Sequence, residues 1–181
     1  MKLRRIISFL VVLVMVMGML PVTAKSAEVV SANDLLLYPA PRNLTAGNGT
    51  YVLDDGNIKS DDQSLKAIAR IQKDAKALAD VTLGAGSDNA VINIIKDESL
   101  NEQGYSLIID GRGITIKYKD EDGSYYAAIT LYQILWQTGK NIPYLTIEND
   151  YPDFKYRGYL LDTSRNRIPK MEKLSYVIID M

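Results

Sequence analysis

Gly104-Tyr-Ser-Leu-Ile-Ile-Asp110-Gly-Arg-Gly113-Ile-Thr-Ile-Lys-Tyr118 is the stretch on which the fold class of this chain turns. Ile114, Ile116 and Tyr118 alternate with Thr115 and Lys117, the period-two pattern of a strand with one buried face. Asp110-Gly-Arg-Gly113 supplies the turn to the apolar run before it. An antiparallel hairpin is predicted, with a well-specified register, because a slip of one residue would turn every isoleucine toward water.

Upstream, Ala90-Val-Ile-Asn-Ile-Ile95 is rich in β-branched residues and predicts a buried strand, set off by a break over residues 84–88. Before it, Leu65, Ile68, Ala69, Gln72, Ala75 and Ala79 recur at steps of three and four, with Ile71 and Leu78 widening the stripe. That is an amphipathic helix ending near Asp80, with Asp61 or Asp62 as its cap. Thr50-Tyr-Val-Leu53 and a short piece around Ile58 predict strands, and Gly47-Asn-Gly49 predicts a turn. Leu35-Leu-Leu-Tyr38 predicts a further short strand, closed by Pro39 and Pro41. These upstream strands are expected to be hairpin components. Downstream, Asp122-Gly123 opens a second helix through Gln137, with Tyr126, Ala127, Ile129, Leu131, Ile134 and Leu135 as apolar positions and an end near Gly139. Ile142-Pro-Tyr-Leu-Thr-Ile147 is expected to be an extended connector, and residues 148–152 a domain boundary. The class is therefore α+β, an antiparallel sheet with helices packed on one face.

With 181 residues and 47% hydrophobic composition, the chain can bury one sizeable core. Twenty-one basic against 22 acidic residues create no field that would draw nucleic acid or a membrane surface, so a neutral partner is implied. The absence of cysteine and histidine excludes disulfides, the usual Cys/His zinc sites, a Ser-His-Asp triad and a histidine base. Any acid–base chemistry falls to carboxylates.

Lys2, Arg4 and Arg5 precede an apolar run over residues 6–22 and small residues at Ala24, Ser26 and Ala27, the three-part pattern of a secretory signal peptide. A retained anchor is the other reading of such a run, but Gly18, Pro21 and the small residues beyond favour cleavage after Ala24, Ser26 or Ala27. Removing residues 1–27 leaves 17 basic and 22 acidic residues, a net charge of −5. A cysteine-free exported chain suits a secreted or cell-envelope location, with no stable membrane association after cleavage.

Residues 28–150 thus form one α+β domain, and a new unit begins in residues 151–181. Tyr156-Arg-Gly-Tyr-Leu-Leu-Asp162 predicts a strand and residues 163–168 a loop. Pro169 suits a helix's first turn, and Leu174, Val177, Ile178 and Met181 begin a helical stripe. One strand, loop and helix in that order is expected to be the first βα unit of a (β/α)8 barrel truncated at Met181.

Three stations in order resemble the family 20 glycoside hydrolases, the β-N-acetylhexosaminidases. They are Pro41-Arg42 ahead of Gly49-Thr-Tyr-Val-Leu53; residues 104–110 leading to Gly123-Ser-Tyr-Tyr-Ala-Ala-Ile-Thr-Leu-Tyr-Gln-Ile-Leu135; and Tyr151-Pro-Asp-Phe-Lys-Tyr-Arg-Gly-Tyr-Leu-Leu-Asp-Thr-Ser-Arg165. The third is the specific one. The first two resemble the non-catalytic domain that precedes the family's catalytic barrel. Asn166-Arg-Ile-Pro169 departs from the aromatic or His-containing sequence of many members and resembles a bacterial branch.

The resemblance implies hydrolysis of terminal N-acetylhexosamine from glycans with retention. The sugar's acetamido oxygen attacks the anomeric carbon, an Asp orients that group and an adjacent Glu is the general acid. No metal or cofactor is implied, and the Asp–Glu pair belongs to a later barrel strand, so residues 1–181 carry no catalytic residue and are expected to be inactive alone. Arg157 matches the arginine that binds hydroxyls of the terminal sugar, a task suited to a rigid fork of donors. Asp162 and Arg165 are expected to support the rim, as an internal ion pair rather than as ligands. Without the resemblance, Arg157 reads as a salt-bridged or surface arginine.

Other acids border turns and helix starts: Asp54-Asp55, Asp61-Asp62 and Asp120-Glu-Asp122 read as caps. Glu148, Asp150 and Asp153 lie before the barrel strand and are rejected as an acid–base pair. Trp136 reads as core or interdomain packing. The alternative to an enzyme's leading part is an exported carbohydrate-binding or scaffolding domain without catalysis. Another hexosaminidase family with a similar leading domain is disfavoured by Leu160-Leu-Asp-Thr-Ser-Arg165.

Overall fold

The computed structural model describes residues 30–158 and 170–172. Within them the chain forms β1 (Leu44–Val52), β2 (Gly56–Ser60), α1 (Lys66–Ala79), β3 (Leu83–Ala85), β4 (Ala90–Lys96), β5 (Tyr105–Asp110), β6 (Gly113–Tyr118), α2 (Glu121–Thr138) and β7 (Asn141–Asp150). The strands make one sheet in the order β1-β7-β5-β6-β4-β2-β3.

The hairpin forms as its alternation requires. Leu107 pairs with Ile116 and Ile109 with Ile114, and the turn closes on Asp110 and Gly113. The Asp110 carboxylate accepts the Arg112 N–H at 2.8 Å, and Gly113 takes a φ of +130°. Tyr105, Leu107, Ile109, Ile114, Ile116 and Tyr118 share one face with Ile92 and Ile94 of β4 and Leu145 and Ile147 of β7, and all are buried. Both helices lie against this face, α2 through Ala127, Ala128, Leu131, Ile134 and Leu135 and α1 through Ala67, Ile68, Ile71 and Ala75. Asp120 caps α2, accepting the Gly123 N–H at 2.9 Å.

Gly123 is fixed by packing. A Cβ there would stand 2.3 Å from the Gly104 carbonyl oxygen, so the helix start and the β5 start touch backbone to backbone.

The α+β class holds, but the sheet is mixed rather than mostly antiparallel. The pairs β2–β3, β2–β4 and β4–β6 are parallel, and β1–β7, β5–β6 and β5–β7 are antiparallel. Helix α1 bridges two parallel neighbours, the crossover that parallel pairing needs. The expected upstream hairpin therefore does not form: β1 and β2 stand near opposite edges of the sheet. Nor is residues 142–147 a connector. It is the core of β7, inserted between β1 and β5. Pro143 pairs with Thr50 of β1, and the last β5 partner on its other side is Leu145 opposite Ile109, so the proline lies past the end of the β5 ladder.

Gly47-Asn48-Gly49 is not a turn but an irregularity inside β1, where the register shifts between Ala46 and Thr50. Cβ atoms on Gly47 and Gly49 would come within 2.8 and 2.4 Å of the Tyr144 side chain. The glycines let a strand bend over a tyrosine from β7.

Leu35-Leu-Leu-Tyr38 pairs with no strand. Helix side chains hold it instead: Gln137 Oε1 accepts the Leu36 N–H at 2.8 Å and its Nε2 donates to the Leu36 carbonyl at 2.9 Å. Gln133 does the same to Tyr38, at 2.8 and 2.9 Å. Four helical residues rise about 6 Å and two extended residues about 6.6 Å, so glutamines at i and i+4 match backbone groups at j and j+2. Leu37, between them, points inward and is buried.

Helix α1 also starts later than expected. Its first-turn cap position is Leu65, which makes no side-chain cap bond, while Asp62 accepts from the Ser64 N–H and hydroxyl in the turn before. Its buried face is rotated from the predicted stripe: Ala69 is exposed, and Asp74 is buried, ion-paired to Arg70 at 2.5 Å.

Candidate functional site

Two segments cross the outer side of α2: the lead from Tyr38 to Arg42, and the chain after β7. Between them and the helix lies a cleft of about 430 Å³. Its apolar walls are Tyr38, Tyr126, Ile129, Tyr151 and Phe154, and its polar groups are Arg42, Gln133, Asp150, Asp153 and Arg157. On its floor the Tyr105 hydroxyl bonds the Thr130 hydroxyl at 2.7 Å. Burial, with the nearby Asp150 charge a lesser contributor, pushes the Tyr105 phenol well above its ordinary range, so it stays protonated.

The polar groups largely satisfy one another. The Arg42 backbone N–H donates to Asp150 Oδ1 at 3.0 Å, and its side-chain Nε donates to the Tyr151 carbonyl at 3.1 Å. Its terminal nitrogen pairs with Asp153, and its guanidinium stacks 4.2 Å from the Tyr151 ring centroid. Both carboxylates near the cleft, Asp150 and Asp153, are thus engaged by Arg42. The arrangement ties the lead to the chain after β7.

Arg157, the sequence-predicted sugar ligand, sits at the cleft's far end and is exposed. It lies 5.3 Å over the Tyr126 ring, donates to the Tyr126 hydroxyl at 2.5 Å and also donates to the Phe154 carbonyl. Those are two of the five N–H groups a guanidinium carries. Lys155, two residues earlier, pairs with Glu102 at 2.8 Å. Asp162 and Arg165 lie outside the described residues, as do the signal-peptide stretch and most of the expected βα unit. Trp136 is not core: it is 70% exposed on the outer ridge of α2. Of the other paired acids, Asp62 accepts the Ser64 N–H and Asp120 the Gly123 N–H in their own turns, whereas Asp55 reaches farther along the chain. Asp55 accepts the Thr82 N–H at 2.7 Å, and Asp120 also accepts the Gln103 N–H at 2.7 Å. No group of acids able to hold a metal ion occurs among the described residues.

Sequence reasoning missed Arg42 as a contact hub, because its partners lie more than 100 residues away. The only local signal was its place after Pro41.

The family profile "Glycosyl hydrolase family 20, domain 2" matches residues 34–151. A β-hexosaminidase of Porphyromonas gingivalis is 32% identical over 147 residues, covering 72% of this chain and 19% of that protein. An N,N'-diacetylchitobiase of Vibrio harveyi is 31% identical over 134 residues, covering 72% and 15%. The chain therefore spans less than a fifth of the length of these curated relatives. Among solved structures, a family 20 exo-β-N-acetylglucosaminidase from Vibrio harveyi in complex with N-acetylglucosamine superposes with a TM-score of 0.67 at 23% identity, over 84% of this chain and 24% of that one. At that identity the superposition speaks to the fold.

Proposed function

This chain belongs to glycosyl hydrolase family 20 through its second domain, and from that premise we propose that it is the leading, non-catalytic part of an exported β-N-acetylhexosaminidase. The observation that carries the reading is the profile match ending at Tyr151, where the Arg157-Gly158 motif of the following unit begins. In this reading the domain presents Arg157 to the hydroxyls of a terminal N-acetylhexosamine, with Asp162 and Arg165 supporting the rim. The acetamido group of the substrate is the nucleophile, and the Asp–Glu pair that orients it and protonates the leaving group lies on a barrel strand after residue 181. The reaction needs no metal or cofactor. Residues 1–27 direct export, to the medium or the cell envelope.

The outer side of α2 supports this reading. Tyr125, Ile129, Tyr132 and Trp136 follow one another at steps of four, three and four on the side away from the sheet. A helix apolar on both sides is one that is covered on both sides. The chain after β7 reaches the edge of this ridge at Tyr126 and Ile129, so a barrel built from residues 151 onward would lie beside it.

The test is hydrolysis of a chromogenic β-N-acetylglucosaminide by residues 28–181 and by the same chain extended through the reading frame that follows Met181. Cleavage by the extended protein alone is the expected result. There, Arg157→Ala should lower kcat/KM about tenfold or more, the loss expected when a bidentate contact to substrate is removed. No cleavage by either form, with glycan binding retained, would replace the reading with that of a binding domain.

A further inference from the structure

We propose that Arg42 is a positioning residue, a clasp that sets the direction in which the Arg157-bearing segment leaves the domain. The inference rests on the hexosaminidase reading for its consequence, but not for its geometry. Arg42 precedes β1 and makes four contacts with residues 150–153, through its backbone N–H, Nε, a terminal nitrogen and the face of its guanidinium. It thus grips a side chain, a backbone carbonyl, a second carboxylate and a ring within four consecutive residues. β1 and β7 are hydrogen-bonded neighbours, and Leu44 is registered with Ile147, so Arg42 stands just beyond the end of that ladder. The clasp extends the pairing by side-chain contacts where the backbone ladder has stopped.

Arg157 follows only four residues after Asp153. Its reach to a sugar depends on the exit path, and a misplacement of about 1 Å at a binding group is enough to cost a large factor in rate. The other cation nearby, Lys155, forms a single exposed ion pair with Glu102, and a pair of that kind contributes little. Lysine at position 42 would keep the charge but neither the stack nor the simultaneous bonds to carbonyl and carboxylate.

Two measurements separate the clasp from the reading beneath it. The first is hydrogen exchange of the 181-residue chain without its leader, comparing Arg42→Ala, Arg42→Lys, Asp153→Asn and Glu102→Ala. Arg42→Ala should speed exchange about tenfold at the Glu148 amide, which donates to the Asn43 carbonyl beside the clasp, with β5 and β6 unchanged. Arg42→Lys should fall close to the alanine variant and Glu102→Ala close to wild type. If Arg42→Ala loosens the whole sheet, Asp153→Asn, altered at an exposed position, gives the same reading without that complication. Unchanged exchange in both variants, or an equal effect of Glu102→Ala, overturns the clasp.

The second is kinetics of the protein extended past Met181. Arg42→Ala should raise KM several-fold with thermal stability unchanged, and Arg42→Lys should not rescue it. An unchanged KM overturns the positioning role. A wild-type extended protein that cleaves nothing overturns the hexosaminidase reading, and the exchange result alone then decides the clasp.

Discussion

The β5–β6 hairpin and the lead from Leu35 to Arg42 are both extended polypeptide against the same body, yet they are held by different means. The hairpin is held by a backbone ladder and by isoleucines that are fully buried. The lead has no ladder: two glutamines of α2 supply the amide groups that a neighbouring strand would have supplied, and Asp150 accepts the Arg42 N–H. The difference teaches that extended structure needs partners for its backbone but not partners from another strand. It also means that the hairpin is stabilised mainly by apolar burial and the lead mainly by exposed hydrogen bonds, which are weaker.

That contrast breaks most sharply at Ile116. Ile116→Ala opens a cavity opposite Leu107 and should destabilise the domain by ~2–5 kcal/mol, read from denaturant unfolding. Gly123→Ala comes next. In an open helix alanine would be favoured over glycine, but here its Cβ meets the Gly104 carbonyl at 2.3 Å, and backbone must shift at a cost of about 1–3 kcal/mol. A neutral or stabilising result would show that the helix start is free to move away from β5.

The lead should respond less. Its Leu36 and Tyr38 backbone groups can turn to water when the glutamines are removed, so Gln133→Ala with Gln137→Ala should cost only about 1–2 kcal/mol. The local signature is faster exchange at Leu36 and Tyr38 with no change in β5–β6. A loss as large as that of Ile116→Ala would erase the distinction between the two regions.

The smallest effect is electrostatic and lies beyond the hairpin's far end. Hydrogen bonds and charge from Lys96 and Lys119 hold the Glu98 carboxyl down to about 2. Because the folded value is depressed, the stabilising contribution is present above the ordinary glutamate pKa and is lost as pH falls from about 4.5 through about 2. The group is solvent-exposed, so the effect on stability is slight. NMR titration should place Glu98 near 2 and show Lys119→Met moving it part of the way back toward 4.5. A titration at the ordinary value in the wild type would show that the ion pairs do not persist in solution.

Much of this was legible without coordinates, and the reason is range. The hairpin, β4, both helices and the Asp120 cap are encoded by residues within a turn or a strand of one another, where periodicity and capping chemistry act. The end of α2 at Gly139 is equally local. What was misread depended on residues far apart. Gly47-Asn-Gly49 carries the composition of a turn, and only Tyr144, arriving from β7, makes it a bend within a strand. The stripe on α1 could not reveal that Asp74 would be buried, because Arg70 and the neighbouring α2 make that burial tolerable.

The candidate site divides in the same way. Arg157 was singled out through the motif around it, since a motif is a local pattern of residues. Its contact with Tyr126 and the Arg42 clasp were not, for both join parts of the chain that only the sheet order brings side by side. By itself the sequence determined the two helices, the β5–β6 hairpin and β4, which face of the hairpin would be buried, and that no histidine or cysteine chemistry is available, because each follows from neighbouring side chains or from composition. The tertiary structure alone decided the mixed strand order, the insertion of β7 between β1 and β5, and the gathering of Arg42, Asp150 and Asp153 beside α2. Those depend on pairings across as many as a hundred residues, which are settled by the fit of whole surfaces and leave no periodic trace along the chain.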